Sequence, residues 1–130
     1  MELEFEICKQ KLTRKDKNEI VNQTVKYVTC DFTFKTPEWQ GAEKYVIFKS
    51  EKGENYCINL GTECTCTCNV PGKVLEGDFF RLTIFCIDGD ERITTTEATL
   101  LLLRSGFTDN LNAYDESESG DIFSHIRGNQ

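Results

Sequence analysis

FFRLTIFCIDGDERITTTEATLLLL, residues 79–103, decides the fold. Phe79–Ile87 is the most strongly β-patterned run of the chain, dense in aromatic and β-branched residues. Asp88-Gly89-Asp90 supplies a tight turn, and Ile93–Leu103 (ITTTEATLLLL) returns as the next strand. The same period of two extends outward in both directions. Leu3, Phe5 and Ile7 alternate with Glu2, Glu4 and Glu6, which is the pattern of a half-buried strand. In Thr24–Phe34 the set Val28, Cys30, Phe32 and Phe34 reads inward. Lys44–Lys49 and Tyr56–Leu60 form two strands around the hairpin signal Glu51–Asn55, where Gly53 is free to take positive φ. Lys35–Gly41 is a loop because Pro37 lacks an amide donor and Gly41 punctuates it, and Lys9–Lys17 reads as a solvated polar loop.

No segment before residue 110 shows a helical period of 3.6. The expected fold is therefore all-β: an antiparallel β-sandwich of about seven to eight strands, of immunoglobulin-like or Greek-key type, over residues 1–104. An acidic linker is expected over 105–120. A short amphipathic helix is expected over 121–127, with Ile122, Phe123 and Ile126 on one side and Asp121 favouring its N-terminal end. Such a helix is too short to stand alone and calls for a partner surface, which makes a homo-oligomer plausible.

A chain of 130 residues is long enough for one domain with a core, and its net charge of -7 disfavours nucleic acid, which demands clustered Lys and Arg. The longest apolar run, Ala98–Leu103, falls far short of the roughly 20 residues that span a bilayer. MELEFEICKQ alternates acidic and apolar residues where a secretory signal would place a basic and then an apolar region, so synthesis and retention in a cytoplasm are expected.

Seven cysteines are an odd count, and three of them form Cys64-Thr65-Cys66-Thr67-Cys68. Alternate positions on a strand share a face, but C-x-C-x-C is not the spacing of structural zinc knuckles. Same-face neighbours lie about 6.5 to 7 Å apart, at the limit for a disulfide. Buried thiols are the expected state, Cys30, Cys57 and Cys86 included, with a cross-strand disulfide to a cysteine such as Cys57 and a metal site as the lesser alternatives.

His125 is the single histidine, which excludes the common multi-histidine metal sites. The Asp88-Gly89-Asp90-Glu91 turn lacks the rest of a calcium loop, and no nucleophile elbow, P-loop or dinucleotide fingerprint occurs. No enzyme and no cofactor are expected. Trp39, in TPEWQGAEKY, is expected at the core or its rim. Exposed, it would anchor an interface or stack on a sugar beside Gln40 and Glu38.

Four motifs occur in order within residues 20–127, the stretch that the resemblance covers: the F-x-F strand Phe32–Phe34, the loop Trp39–Gly41, the turn Cys68–Leu75 (CNVPGKVL) and the hairpin Asp88–Thr95 (DGDERITT). In that order they resemble the N-terminal β-sandwich domain of the upper baseplate protein of siphophages and prophages of Gram-positive bacteria. The resemblance implies a non-catalytic part that docks on the tail hub, supports host adsorption, is made in the host cytoplasm and is carried in the virion tail. Other tail and baseplate proteins are the implied partners. Ile122, Phe123 and Ile126, with Trp39, are the candidate interface residues. The family's long helical region and receptor-binding module have no counterpart in this sequence. The alternative is a carbohydrate-binding module using Trp39.

Overall fold

A computed structural model describes residues 1–115. The expected helix over 121–127, with Ile122, Phe123, Ile126 and His125, lies outside the described residues. Within them the chain is all-β, and its ten strands form two sheets. In chain order these are β1 (Glu2–Cys8), β2 (Lys11–Arg14), β3 (Ile20–Val21), β4 (Thr29–Phe34), β5 (Glu43–Ser50), β6 (Asn55–Gly61), β7 (Thr65–Asn69), β8 (Phe79–Asp88), β9 (Glu91–Thr94) and β10 (Ala98–Leu103). One sheet runs β2-β1-β4-β7 and the other β3-β10-β8-β5-β6, with β9 also paired to β8. No helix among the described residues is long and apolar enough to cross a membrane.

The alternation in the sequence becomes the core. Leu3, Phe5 and Ile7 from β1, Phe32 and Phe34 from β4, Val46 and Phe48 from β5, and Phe80, Leu82 and Ile84 from β8 bury into one cluster shared by both sheets. Phe5 stacks on Phe32 with ring centroids 5.4 Å apart, and Phe48 meets Phe80 at 6.2 Å. Val28, Cys30, Phe32 and Phe34 all point inward as their spacing predicts, although β4 begins only at Thr29. Gln23 and Lys26 take left-handed φ of 62° and 58°, which turns the preceding segment out of the sheet and leaves Val25 and Tyr27 exposed.

Three expectations are corrected. The pairing is mixed: β1 runs parallel to β4, and β3 parallel to β10. The chain leaves the β1–β2 hairpin, places β3 in the other sheet, and crosses back to lay β4 beside β1 in the same sense. The polar run Lys9–Lys17 contains β2, because Leu12 is buried and the strand pairs with β1 from Phe5↔Arg14 to Cys8↔Lys11. Ile93–Leu103 is two strands rather than one. Thr95, Thr96 and Glu97 stand opposite only Thr83 and Ile84, one extra residue, which makes a bulge. Thr95 Oγ1 accepts a hydrogen bond from the Ile84 amide at 3.0 Å. The Thr96 amide donates to Gln10 O at 2.8 Å, and Thr96 Oγ1 accepts from the Leu12 amide at 3.1 Å, so the bulge ties the two sheets together.

Lys44 is completely buried at one end of this core. A buried ammonium is costly unless its donors are met. Here Nζ donates to Ala42 O and Thr62 O, both at 2.9 Å, and lies 5.1 Å from the Phe34 ring centroid. Lys44→Ala should lower the unfolding free energy by about 3 kcal/mol, from the cavity and the two abandoned carbonyls. Lys44→Met, which refills the volume, should recover part of that loss. Urea denaturation measures both, and an alanine variant as stable as the parent would mean that Lys44 holds nothing together.

Candidate functional site

The outward faces of the two sheets differ in chemistry. On the six-stranded sheet, Tyr45 of β5 sits directly opposite Phe85 of β8, and their rings stack at 4.9 Å. Ile47 and Ile87 continue this outward set, and Ile87 is 50% exposed. Ile47, Thr83, Phe85, Ile87, Arg92 and Thr94 line a shallow concavity of about 330 Å³. Burial first, and the neighbouring Glu43 carboxylate second, push the Tyr45 phenol above its ordinary pKa.

A charged band bounds this patch. Glu97 takes Lys49 Nζ at 2.8 Å and Arg81 Nε at 3.7 Å, and Arg81 also lies over the Phe79 ring. Beyond the band Leu101, Leu103 and Val21 are exposed on β10 and β3.

The outward face of the four-stranded sheet is polar and acidic. A groove of about 500 Å³ is lined by Glu2, Glu4 and Glu6 of β1, Asp31 and Thr33 of β4, and Thr65 and Thr67 of β7, with Lys15 at its side. Thr67 Oγ1 donates to Asp31 Oδ1 at 2.9 Å. Its carboxylates sit on solvated strand positions and have no histidine among the described residues to work with.

The structure puts the sequence-derived candidates elsewhere. Trp39 ends a short 3-10 turn, Pro37–Trp39, and is fully buried; its Nε1 donates to Lys9 O at 2.8 Å and its ring packs 5.3 Å from Phe34. The indole presents no face to a sugar or a partner. Cys66 is buried, Cys68 half-buried, and Cys64 exposed just ahead of β7. Cys57 corrects the expectation of a core thiol: it stands opposite Ile47 on the edge strand β6 and faces outward. Cys30, rather than Cys57, faces Cys68 across β4 and β7. All seven cysteines are free thiols. Among the described residues no three His, Cys, Asp or Glu side chains cluster as metal ligands.

Perturbed ionisations have structural causes. Desolvation, and then the adjacent Cys66 and Asp31, push the Cys68 thiol up to about 12, and desolvation raises Cys30 further. Burial would raise Asp16, but hydrogen bonds from Arg14 and from the Glu4 and Asn18 amides outweigh it and lower its pKa. That carboxylate staples the exit of β2 to β1.

The apolar outer face was missed in the sequence, although its signal is present. KYVIFK and FFRLTIFCI carry apolar residues on both alternating sets, the mark of strands covered on both sides. A scan against protein-family models and a search of the curated proteins give no match to this chain.

Two outcomes follow from the burial of these side chains. Trp39→Ala should cost about 3 to 5 kcal/mol of stability in a denaturant titration. A folded variant of unchanged stability would return the indole to a surface role. A colorimetric thiol titration of the native protein should show Cys8, Cys57 and Cys64 reacting fast and Cys30, Cys66 and Cys86 only on unfolding. Cys68 should lag, its rate still climbing with pH toward about 12 because only the thiolate reacts. Seven equally fast thiols would contradict the assigned burial.

Proposed function

We propose that this chain is a non-catalytic structural component of a phage or prophage tail baseplate, acting through its surfaces to dock on the tail hub and support host adsorption. One observation carries the surface reading: the six-stranded sheet turns Tyr45, Ile47, Phe85 and Ile87 outward, where a free-standing sheet would place polar residues. The ordered motifs at Phe32–Phe34, Trp39–Gly41, Cys68–Leu75 and Asp88–Thr95 support the assignment to a baseplate. The architecture is proposed as a Greek-key β-sandwich, supported by a chain that changes sheet after β2, β3, β4, β6 and β7. In this reading the chain is made in the host cytoplasm, carried in the virion tail, and joined to other tail and baseplate proteins. The carbohydrate-binding alternative loses its main support with the burial of Trp39.

The test is a peptide search in purified phage or induced prophage particles from the source strain. The tryptic fragments TPEWQGAEK, YVIFK and VLEGDFFR should appear in proportion to known tail proteins. Their absence from particles, with the protein abundant in the lysate, would overturn the assignment.

A further inference from the structure

Across β5, β8 and β9, Glu43 stands opposite Ile87 and Ile87 opposite Arg92. One row of the outer face therefore reads acid, apolar, base. Neighbouring strands are about 4.8 Å apart, so the two charged stems rise roughly 10 Å from each other on either side of Ile87. Glu43 and Arg92 are both exposed, and neither takes part in an ion pair among the described residues, although Glu43 Oε1 accepts a hydrogen bond from Asn59 Nδ2 at 2.7 Å. The next row along the sheet is Tyr45 against Phe85, followed by Ile47.

We propose that this face is the contact between two copies of the chain, in a closed dimer whose two-fold axis runs along β8. Rotation about such an axis lays β5 of one copy over β9 of the other and leaves positions along the strand unchanged. Glu43 then meets Arg92 of the second copy twice over, with Ile87 on Ile87 and Phe85 on Phe85 between the pairs. An axis across the strands through the same row would set Arg92 on Arg92 and Glu43 on Glu43. The charges thus select one orientation. The contact is isologous and closes on itself.

Size sets the strength. Three strand positions about 4.8 Å apart, each contributing about six residues at 3.4 Å, give a face of roughly 14 by 20 Å on each copy. Two such faces together bury less than about 1,000 Å², below the range of stable specific interfaces, so the dimer is a weak, reversible one. At about 0.15 M salt the Debye length of roughly 8 Å confines the mutual repulsion of two acidic chains. The proposal rests on this face alone and stands whether or not the chain belongs to a tail.

Sedimentation equilibrium of the full chain, in reductant because Cys8, Cys57 and Cys64 are exposed, tests it. The wild type should dimerise weakly, with a dissociation constant of about 0.1 mM. Glu43→Arg and Arg92→Glu should each weaken self-association about tenfold or more, since each leaves two like-charged contacts. Mixing the two variants should restore association to within about threefold of the wild type, because every acid again meets a base. The combined variant should do the same. Both positions are exposed, and recovery on mixing cannot come from misfolded chains. A wild type that stays monomeric to about 0.5 mM, single variants that associate like the wild type, or mixtures that fail to recover would each overturn the proposal.

Discussion

The Phe34 ring joins the parts of this structure. It belongs to β4 in the four-stranded sheet, yet it receives the Lys44 ammonium from β5 in the other sheet and packs against Trp39. Lys44 in turn holds the Ala42 and Thr62 carbonyls, and so fixes both the entry to β5 and the connection from β6 to β7. Trp39 holds the Lys9 carbonyl in the β1–β2 turn. Two long-range attachments, to Thr62 O and Lys9 O, and a local one to Ala42 O thus converge beside one ring. A cation needing partners and an indole needing an acceptor are satisfied only when all of these segments are in place. That requirement specifies how the two sheets meet at this end more sharply than apolar burial does, since burial alone is indifferent to direction.

A second tie between the sheets lies next to it, at Gln10 and Leu12. The Thr95–Glu97 bulge breaks the strand along β8 and turns Thr96 toward Gln10 and Leu12 of the other sheet. The outer side of β2 would otherwise offer unpaired amides and carbonyls to any passing strand. Binding them to a bulge limits that hazard without covering the edge with a helix.

Much of this was legible in the sequence and some could not have been. Phe5, Phe32 and Phe34 declare their inward direction by spacing, and Gly53 and Gly89 declare their turns, with φ of 94° and 63°. The parallel pairing of β1 with β4 leaves no local trace, because it depends on where a crossover returns. Lys44 reads as a solvent-facing charge in KYVIFK, and only the carbonyls of Ala42 and Thr62 make its burial tolerable. Trp39 lies in the core as its type leads one to expect, but its acceptor, Lys9 O, lies 30 positions away and leaves no local trace. The candidate surface hid for a related reason. Tyr45, Ile47, Phe85 and Ile87 form a patch only once β5 and β8 are known to be neighbours in register.

The contrast between the two outer faces decides how such a chain can assemble. An apolar face on each side of a two-layered body would let copies stack without end. Here Glu2, Glu4, Glu6 and Asp31 load one outer face with carboxylates, so a second copy brought against it meets like charge. Of the two outer sheet faces only the six-stranded one is apolar, and on it the Lys49–Glu97–Arg81 band separates the Tyr45–Phe85 patch from Leu101 and Leu103, while Val25, Tyr27, Phe107 and Leu111 are exposed off the sheets. A body with one self-complementary face and one repulsive face can pair once and then stop. Leu101, Leu103 and Val21 remain outside that pairing, exposed on the side where the chain leaves the last strand. The same division of surface that favours pairing on one face and opposes it on the other therefore leaves the apolar β3–β10 edge outside the proposed contact.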